Sequence, residues 1–356
     1  MNRGSEGREL KPVRRADRTQ ILPSTMDPMQ ELKTDVWGAA ALGAFRRRLL
    51  SWYEQNRRDL PWREEKDPYR IWVSEVMLQQ TRVAAVIEYY RRFLERFPSV
   101  ATLAAAKPEA VLAAWSGLGY YRRARALHDA AKRVVTEHGG KLPRTAAELQ
   151  QLPGFGRYTA AAVASIAFGE PAAVVDGNVE RVLSRIFAWQ EPNRRAAWET
   201  AQHLLAAQRA GDFNQAMMEL GATVCLPAQA RCECCPLFRW CRTRGVGPEK
   251  QKEQRQRRRV HYRLAHRNGA VWLVRRPPRA SLMPGMWELP EIPENGMPPD
   301  VMFRLRHSIT VTDFAVEVSS GEPSGCGRGR WVTRGQTERL PLTGLTKKIL
   351  RRANFI

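Results

Sequence analysis

The feature that most constrains this chain is a helical pattern of apolar residues that extends from Val36 to about Arg244. Ala-rich apolar faces recur at helical spacing, and prolines interrupt them often enough to end one helix and begin the next. Thr145, with Glu148 three residues later, has the spacing of a capping box. We therefore expect an all-α domain of many short helices. The interrupting prolines are Pro61, Pro68, Pro98, Pro108, Pro143 and Pro153.

The charge of the chain indicates a polyanionic partner. Its 356 residues contain 58 Lys and Arg against 36 Asp and Glu, a formal net charge of +22. Because neutralising phosphates releases counterions, nucleic acid is the simplest such partner, and a solvated basic surface is the alternative. No segment has the apolar length of a membrane span or the apolar core of a secretory signal, so we expect a soluble intracellular protein.

Composition divides the chain into four segments. Residues 1–33 are Arg-rich but also acidic, which predicts a disordered basic tail rather than a transit peptide. Residues 34–244 form the helical domain, and residues 245–259 have few apolar residues and many like charges, as expected of a basic linker. Residues 260–356 predict a small α+β domain, whose strand signals are a hairpin at Asn268-Gly269 and the short runs FAVEV and RWV.

A cysteine cluster lies at the end of the helical domain, where five of the six cysteines fall between Cys225 and Cys241. In a reducing compartment such a cluster indicates a metal site rather than disulfides. Both an iron-sulfur cluster and a tetrahedral zinc ion suit four cysteines, and the spacing alone leaves the two open. The Cys-x-x-Cys spacing favours Cys235 over Cys234, so the expected ligands are Cys225, Cys232, Cys235 and Cys241, with Cys234 and Cys326 as bystanders.

The segment LPGFGRYTA, from Leu152 to Ala160, places two glycines around one apolar residue between two helical patterns. Glycine allows a sharp turn and close approach to a ligand, and the N–H groups that begin the next helix can hold a phosphate. The segment is typical of a DNA-binding helix-hairpin-helix, with Leu152, Gly154 and Gly156 as DNA-contacting positions. An ordinary tight turn is the alternative.

Two carboxyl groups have the character of a catalytic pair. Asp176, in VVDGNVER, stands at the expected N-cap of a helix, and capping alone is the simplest interpretation. A carboxylate held there by the helix dipole and N–H donors can also stabilise a cationic transition state. Glu75 shares a helix face with Ile71, Trp72 and Leu78, so its carboxyl is expected to be partly desolvated and usable as a general acid. The alternative for Glu75 is an ion pair with Arg on a solvated face.

Several segments together resemble the MutY family of adenine DNA glycosylases, within the endonuclease III superfamily. They are LPWR, SEVMLQQT, GLGYYRRARAL, LPGFGRYTA, VVDGNVERVL, FNQAMMELGATVC and the four-cysteine spacing. The match extends from about Val36 to Cys241 and continues more weakly beyond it. It implies a multidomain protein, with an all-α helix-hairpin-helix glycosylase domain and a small α+β, Nudix-like C-terminal domain.

The resemblance implies a role for each matching residue. Glu75 becomes the acid that protonates a flipped adenine at N7, and Asp176 the carboxylate that stabilises the sugar cation. Tyr158 and Asn178 become supporting active-site residues. The four cysteines become ligands of a [4Fe-4S] cluster. The residues implied to contact DNA are Gln79, Gln80, Thr81, Tyr120 and the hairpin residues named above.

Tyr158 separates this chain from relatives that cut the DNA backbone. Those relatives have a lysine here that forms a Schiff base with the sugar, which a phenol cannot do. The resemblance therefore implies a monomeric, monofunctional adenine glycosylase of base excision repair. Its partner would be double-stranded DNA with A:8-oxoguanine or A:G mispairs. A G:T thymine glycosylase and a non-catalytic iron-sulfur DNA-binding protein are the alternatives.

The C-terminal segment resembles the Nudix-like module with which MutY proteins read 8-oxoguanine. RASLMPGMWELPE, from Arg279 to Glu291, is similar to a loop of that module, and no Nudix box follows, so we expect no nucleotide hydrolase activity. Where the family usually has Phe-Ser-His, this chain has Ile309, Thr310 and Val311. Thr310 keeps a hydroxyl and is the expected lesion contact. A strand that is simply part of the core is the alternative.

Overall fold

A computed structural model describes residues 37–245, 255–280, 282–293, 300–309, 311–323 and 329–356. The predicted N-terminal tail, residues 1–33, lies outside the described residues, and so does Thr310. Within these described ranges, no helix is both long enough and apolar enough to cross a membrane.

The helical domain predicted from the sequence is present. Its helices are α1 (Ala39–Asn56), α2 (Pro68–Leu78), α3 (Val83–Arg96), α4 (Val100–Ala104), α5 (Pro108–Trp115), α6 (Arg122–His138), α7 (Ala146–Leu149), α8 (Arg157–Phe168), α9 (Gly177–Phe187), α10 (Arg194–Leu204) and α11 (Ala210–Thr223). Regular helix ends at Thr223, and the cysteine segment beyond it contains short 3-10 turns at Cys232–Cys234 and Phe238–Trp240. The prediction that the helical pattern continues to about Arg244 is therefore wrong.

The local signals explain where helices begin and end. Pro68 and Pro108 are the first residues of α2 and α5, where the missing N–H costs nothing. The predicted capping box is confirmed at α7, because the side chains of Thr145 and Glu148 each bond the other residue's backbone N–H. Asp176 is the N-cap of α9.

The C-terminal segment is α+β, as predicted. Its strands are β1 (Gln256–Leu264), β2 (His266–Arg267), β3 (Ala270–Arg275), β4 (Trp287–Glu288), β5 (Glu291–Ile292), β6 (Phe303–Ile309), β7 (Thr312–Ser320) and β8 (Gly329–Thr333), followed by α12 (Arg334–Thr337) and α13 (Gly344–Arg352). Asn268 and Gly269 form the predicted two-residue turn between β2 and β3, both with positive φ. FAVEV lies in β7 and RWV in β8, so both predicted strands are confirmed.

The segment expected to be a linker is shorter than predicted. Strand β1 begins at Gln256, and its first residues pair in parallel with β7 from Thr312 onward. The end of the linker at Arg259 was therefore wrong, because backbone pairing with β7 orders a stretch whose side chains carry like charges. Residues 246–254 lie outside the described residues.

The chain forms two compact units, and each unit contains two stretches that are separated in the sequence. The first unit contains the chain up to Glu75 together with Leu142–Glu249. Its core is built around α11, whose Phe213, Met217 and Leu220 are buried with apolar residues of α1 and α9. Burial of these faces is the main source of the unit's stability.

The second unit contains Val76–Lys141 together with Lys250–Ile356, so the C-terminal segment belongs to the same unit as helices α3 to α6. This differs from the boundaries expected from composition. Two four-stranded sheets form its β part: one has the order β5-β1-β7-β6, and in the other β3 pairs with β2, β4 and β8. Apolar residues of both sheets pack with Leu345, Ile349 and Leu350 of α13 in one core.

Candidate active site

Glu75 is a carboxylic acid enclosed in the protein. It lies in α2 and is 5% exposed, while Ile71 and Trp72 on the preceding turn are fully buried. The Trp72 ring stacks on Phe155, with ring centroids 4.9 Å apart. Among the described residues no cation forms an ion pair with Glu75, so it is not a carboxylate on a solvated face. The predicted desolvation is confirmed and is nearly complete.

The hydroxyl of Tyr158 is the hydrogen-bond partner of Glu75. It donates to Oε2 of Glu75 over 2.7 Å and lies 3.4 Å from the sulfur of Met218. Tyr158 lies in the first turn of α8, directly after the Gly-x-Gly turn. The turn therefore places the phenol beside the carboxyl.

The surroundings of Glu75 make it a weaker acid than usual. Burial raises its pKa from 4.5 to about 7, the Asp176 carboxylate adds to the rise, and the Tyr158 hydrogen bond and the Arg63 guanidinium oppose it. A carboxyl with a pKa near 7 carries a proton in a substantial fraction of molecules at neutral pH and can donate it. Burial, with the nearby Glu75 and Asp176 charges, also raises the pKa of Tyr158 well above its usual value, so the phenol remains a hydrogen-bond donor.

Asp176 is held as an acceptor at the N-terminus of α9. Its Oδ1 accepts from the backbone N–H groups of Asn178 and Val179 over 2.9 and 2.7 Å, and its Oδ2 accepts from the Asn178 amide over 2.8 Å. These three bonds fix the orientation of the carboxylate, and the helix dipole favours its negative charge. Asp176 therefore caps the helix. Its negative charge also acts on Glu75 and raises the pKa of that residue.

Arg181 was missed by the sequence analysis. Its guanidinium donates to the side-chain oxygen of Asn178 and to the carbonyls of Gly221 and Cys225, over 2.7 to 2.9 Å. It thus connects the residue that orients Asp176 with the end of α11 and the first cysteine. The glycine at position 221 allows Asn178 to lie close to α11, because a Cβ at this position would be 2.6 Å from the Cβ of Asn178. The signal available in the sequence was only that Arg181 follows Asn178 by three residues on one helix.

Arg63 and Glu219 form a second unpredicted element. Glu219 is buried and accepts from Arg58 and Arg63, with closest distances of 2.8 and 2.5 Å. Burial alone would raise the pKa of Glu219, but the hydrogen bonds from the two arginines outweigh it and lower the pKa to about 2. Glu219 thereby neutralises an arginine whose charge acts on Glu75. The segments LPWR and MMELGA contain these residues, but their pairing spans 156 positions in the chain.

The predicted helix-hairpin-helix turn lies between α7 and α8. Leu152 is buried, Gly154 has a φ of +79°, and Gly156 is the N-cap of α8 without a side-chain capping bond. A Cβ at Gly156 would meet nothing within 4 Å, so the start of α8 is open on that side. The geometry is that of a turn with an accessible helix N-terminus, which suits approach by a phosphate.

The remaining expected DNA contacts, Gln79, Gln80, Thr81 and Tyr120, belong to the second unit. Gln80 and Tyr120 are exposed and have left-handed φ values of 56° and 47°. Arg123 holds both segments: its guanidinium donates to Thr81 Oγ1 and to the carbonyls of Val76, Met77, Gln79, Leu118 and Gly119. Burial lowers the pKa of Arg123 to about 10, and sequence reasoning did not identify this residue.

The chain matches known DNA repair proteins over the residues that build this site. Residues 73–207 match the family model for the HhH-GPD superfamily base excision DNA repair protein. The chain is 31% identical to a thermostable thymine-DNA glycosylase of known structure, with a TM-score of 0.54, covering 58% of this chain and 97% of that one. The chain belongs to the HhH-GPD superfamily. The predicted helix-hairpin-helix fold is thereby confirmed.

Within that superfamily the chain is similar to adenine DNA glycosylases. It is 50% identical to the adenine DNA glycosylase of Rattus norvegicus over 239 residues, which are 63% of this chain and 46% of that protein. It is 52% identical to the Homo sapiens enzyme over 219 residues, 58% of this chain and 40% of that protein. The matches cover less than half the length of these relatives. The chain is therefore similar to these adenine DNA glycosylases over about three fifths of its own length.

Five described cysteines lie between Cys225 and Cys241. Cys225, Cys232 and Cys241 all act electrostatically on Cys235, whose pKa is raised to about 12, chiefly by burial. Cys234 instead packs in the hydrophobic core and lies within hydrogen-bond distance of the Arg231 carbonyl. In the described ranges, no three His, Cys, Asp or Glu side chains are grouped closely enough to hold a single metal ion.

Two of the residues expected to read the lesion, Ile309 and Val311, lie at the end of β6 and directly before β7. Ile309 pairs with Thr312, Val311 is 45% exposed, and Thr310 lies outside the described residues. Burial alternates along β6, with Phe303, Leu305 and His307 on the less exposed face. The less exposed face of β6 packs against the core through Phe303 and Leu305.

Proposed function

We propose that this protein removes adenine, mispaired with 8-oxoguanine or guanine, from double-stranded DNA by hydrolysis of the N-glycosidic bond. The observation that carries the proposal is a buried acid, Glu75 with a pKa of about 7, beside a carboxylate, Asp176, fixed by three hydrogen bonds. Two carboxyl groups in unlike environments are what glycosidic cleavage needs. Adenine is proposed as the base that is removed because the chain is similar to adenine DNA glycosylases.

The two carboxyl groups divide the reaction between them. Protonated Glu75 gives its proton to adenine N7, the bond from C1′ to N9 breaks, and its electron pair leaves with the base. The sugar becomes an oxocarbenium cation, which the negative charge of Asp176 stabilises. Water then adds to C1′ and loses a proton to the Glu75 carboxylate, which restores the acid and leaves an abasic site.

The adenine must leave the base stack for this chemistry, since its glycosidic bond is otherwise out of reach. Gln80 and Tyr120 are suited to fill the vacated space, because both are exposed on segments held by one arginine. Gln79 and Thr81 flank Gln80. The turn from Leu152 to Gly156 would bind the DNA backbone through N–H groups at the start of α8.

Tyr158 limits what the site can do after base removal. A phenol cannot form a Schiff base with the sugar, so we propose a monofunctional glycosylase without efficient strand cleavage. Asn178 supports the site through its bond to Asp176.

We propose that Cys225, Cys232, Cys235 and Cys241 hold a [4Fe-4S] cluster. Cys232 and Cys235 each interact electrostatically with Cys225 and Cys241, and four cysteines are the donor set of such a cluster. The cluster would supply cross-linking of an irregular segment that has little regular structure of its own. The Arg185 guanidinium donates a hydrogen bond to the Cys225 sulfur over 3.3 Å and would help to orient this ligand.

The α+β part of the second unit is proposed to be a Nudix-like reader of 8-oxoguanine, with Thr310 as its contact to the lesion. It lacks the Nudix box, so no nucleotide hydrolysis is assigned to it. With Ile309 and Val311 in place of the usual Phe and His, we expect weaker discrimination between 8-oxoguanine and guanine than in relatives with Phe-Ser-His.

A second candidate function is removal of thymine from G:T mismatches, which the similarity to a thymine-DNA glycosylase favours. The test is base release from end-labelled duplexes with A:8-oxoguanine, A:G, A:C or G:T pairs, with and without heat and alkali. Breakage of the adenine strand only after alkali supports the proposal. Cleavage of the thymine strand would establish the second candidate, and no release by iron-loaded protein would leave a DNA-binding role.

A further inference from the structure

The loop that joins α5 to α6, residues 116–121, carries the exposed Tyr120, which is 43% accessible and has a φ of 47°. This 116–121 loop belongs to the same compact unit as the C-terminal segment. The position of Tyr120 therefore depends on whatever holds the loop within that unit.

Three hydrogen bonds connect the 116–121 loop to the C-terminal segment. Lys347, on α13, donates through Nζ to the Ser116 carbonyl over 2.6 Å. In return, the hydroxyl of Ser116 donates to the Leu342 carbonyl over 2.6 Å, and the hydroxyl of Tyr121 donates to the same carbonyl over 3.3 Å. The first and last residues of the loop are thus both bound to the segment proposed to read the opposite base.

Lys347 is an unusual group to find at this contact. Burial, with a smaller contribution from the neighbouring cations Arg351 and Arg92, lowers the pKa of its ammonium to about 8. In the described parts of the chain no carboxylate forms an ion pair with it. Desolvating a lysine without a counter-charge is unfavourable, so the main favourable contact of the ammonium is its charged hydrogen bond to Ser116.

The loop fits its place with little tolerance. Tyr89 also donates to the Ser116 carbonyl, over 3.1 Å, and a Cβ at Gly117 would lie 2.0 Å from the Tyr89 oxygen. On the other side, Arg123 donates to the carbonyls of Leu118 and Gly119. A small shift at Ser116 is therefore passed to Tyr120 rather than absorbed by the loop.

We propose that Lys347 is a positioning residue for base extrusion, which sets the place of Tyr120 through the Ser116 carbonyl. The proposal rests on the role proposed above for Tyr120. It gives the C-terminal segment an effect on extrusion of the adenine that is separate from any contact with the opposite base. The effect should therefore be equal for A:8-oxoguanine and A:G substrates.

The test compares Lys347→Met with Lys348→Met. Lys348 is the adjacent residue, is exposed, and donates to the Arg306 carbonyl within the C-terminal segment, so it controls for lost charge and for a lost lysine-to-carbonyl bond. Extrusion is followed by the fluorescence of 2-aminopurine at the adenine position, in a Glu75→Gln background that prevents cleavage. Adenine release is measured under single-turnover conditions with proteins that keep Glu75.

Lys347→Met should reduce extrusion and adenine release about ten-fold on both substrates, since small misplacements near a reaction lower its rate by such factors. Its melting temperature should not fall, because Met keeps the apolar stem and Tyr89 still bonds the Ser116 carbonyl. Lys348→Met should match the wild type. In a double-mutant cycle, Lys347→Met should add nothing to Tyr120→Ala.

Wild-type extrusion in Lys347→Met, or a loss that adds in full to that of Tyr120→Ala, would overturn the proposal. If Lys347→Met does not fold, Ser116→Ala tests the second bond that Ser116 makes to the C-terminal segment, by removing its hydroxyl bond to Leu342, with the same expected results. A third outcome separates the two proposals. If extrusion depends on Lys347 but the wild type releases no adenine, the proposed function is contradicted and the role of Lys347 is supported.

Discussion

The hydroxyl of Tyr158 donates a hydrogen bond of 2.7 Å to Oε2 of Glu75. This bond favours the ionised form of the carboxyl and opposes the burial that raises the pKa of Glu75 to about 7. The acid strength of Glu75 is therefore set by a balance between its enclosure and one phenol.

Tyr158→Phe should shift the alkaline limb of the pH-rate profile to higher pH. Removing a hydrogen bond to the carboxylate raises the pKa of Glu75, by about one pH unit for a bond to a charged group. The measurement is single-turnover base release from pH 5 to 9, with Tyr262→Phe, a buried tyrosine of the second unit, as control. A limb that stays in place or moves to lower pH would contradict this role of Tyr158.

Glu75→Gln should alter how stability depends on pH. The folded-state pKa of Glu75, about 7, lies above the ordinary value of 4.5, so the native state loses stability as the pH rises through 7. Gln does not titrate. Between pH 4 and pH 8.5 the free energy of unfolding should change in favour of the variant by about 3 kcal/mol, since a tenfold change in acidity corresponds to about 1.4 kcal/mol. Urea unfolding of both proteins at the two pH values measures this, and a pH-independent difference would refute it.

Glu219→Gln should destabilise the protein by about 3 kcal/mol at pH 7, because it leaves Arg58 and Arg63 without their buried counter-charge. The pKa of Glu219 is about 2, below the ordinary value, so its contribution is present above pH 4.5 and is lost as the pH falls through 2. Denaturant unfolding tests the change. Glu137→Gln, which breaks an exposed pair with Arg133, is the control and should have no measurable effect.

Neighbouring cysteines should respond differently to the same substitution. Cys235→Ser should reduce the iron bound per chain and the visible absorption of the purified protein, since it removes one of four ligands. Cys234→Ser should keep both, because Cys234 is not one of the four proposed ligands and its thiol lies within hydrogen-bond distance of the Arg231 carbonyl. Equal loss of iron in the two variants would contradict the assignment of ligands.

The local parts of the site could be predicted from the sequence because each is contained in a short motif. Asp176 and Asn178 lie in one helix start, and the position of Glu75 among Ile71 and Trp72 follows from helical periodicity. The hairpin at Asn268-Gly269 is likewise set by two adjacent residues.

The parts that could not be predicted depend on residues far apart in the chain. Glu219 meets Arg58 and Arg63 across more than 150 positions, and Lys347 meets Ser116 across 231. Strand β1 was obscured by a different cause, since its Arg-rich start has the composition of a linker and is ordered only by pairing with β7. Local patterns carry no information on such partners.

Glu75 is proposed to be the acid that releases adenine. The most direct test is single-turnover adenine release from an A:8-oxoguanine duplex by wild type, Glu75→Gln and Asp176→Asn, with DNA affinity measured on the same duplex. Both variants should release adenine at least about 100-fold more slowly and still bind the duplex, and the wild-type rate should fall above pH 7. Adenine release by Glu75→Gln at the wild-type rate would contradict the proposed role of Glu75.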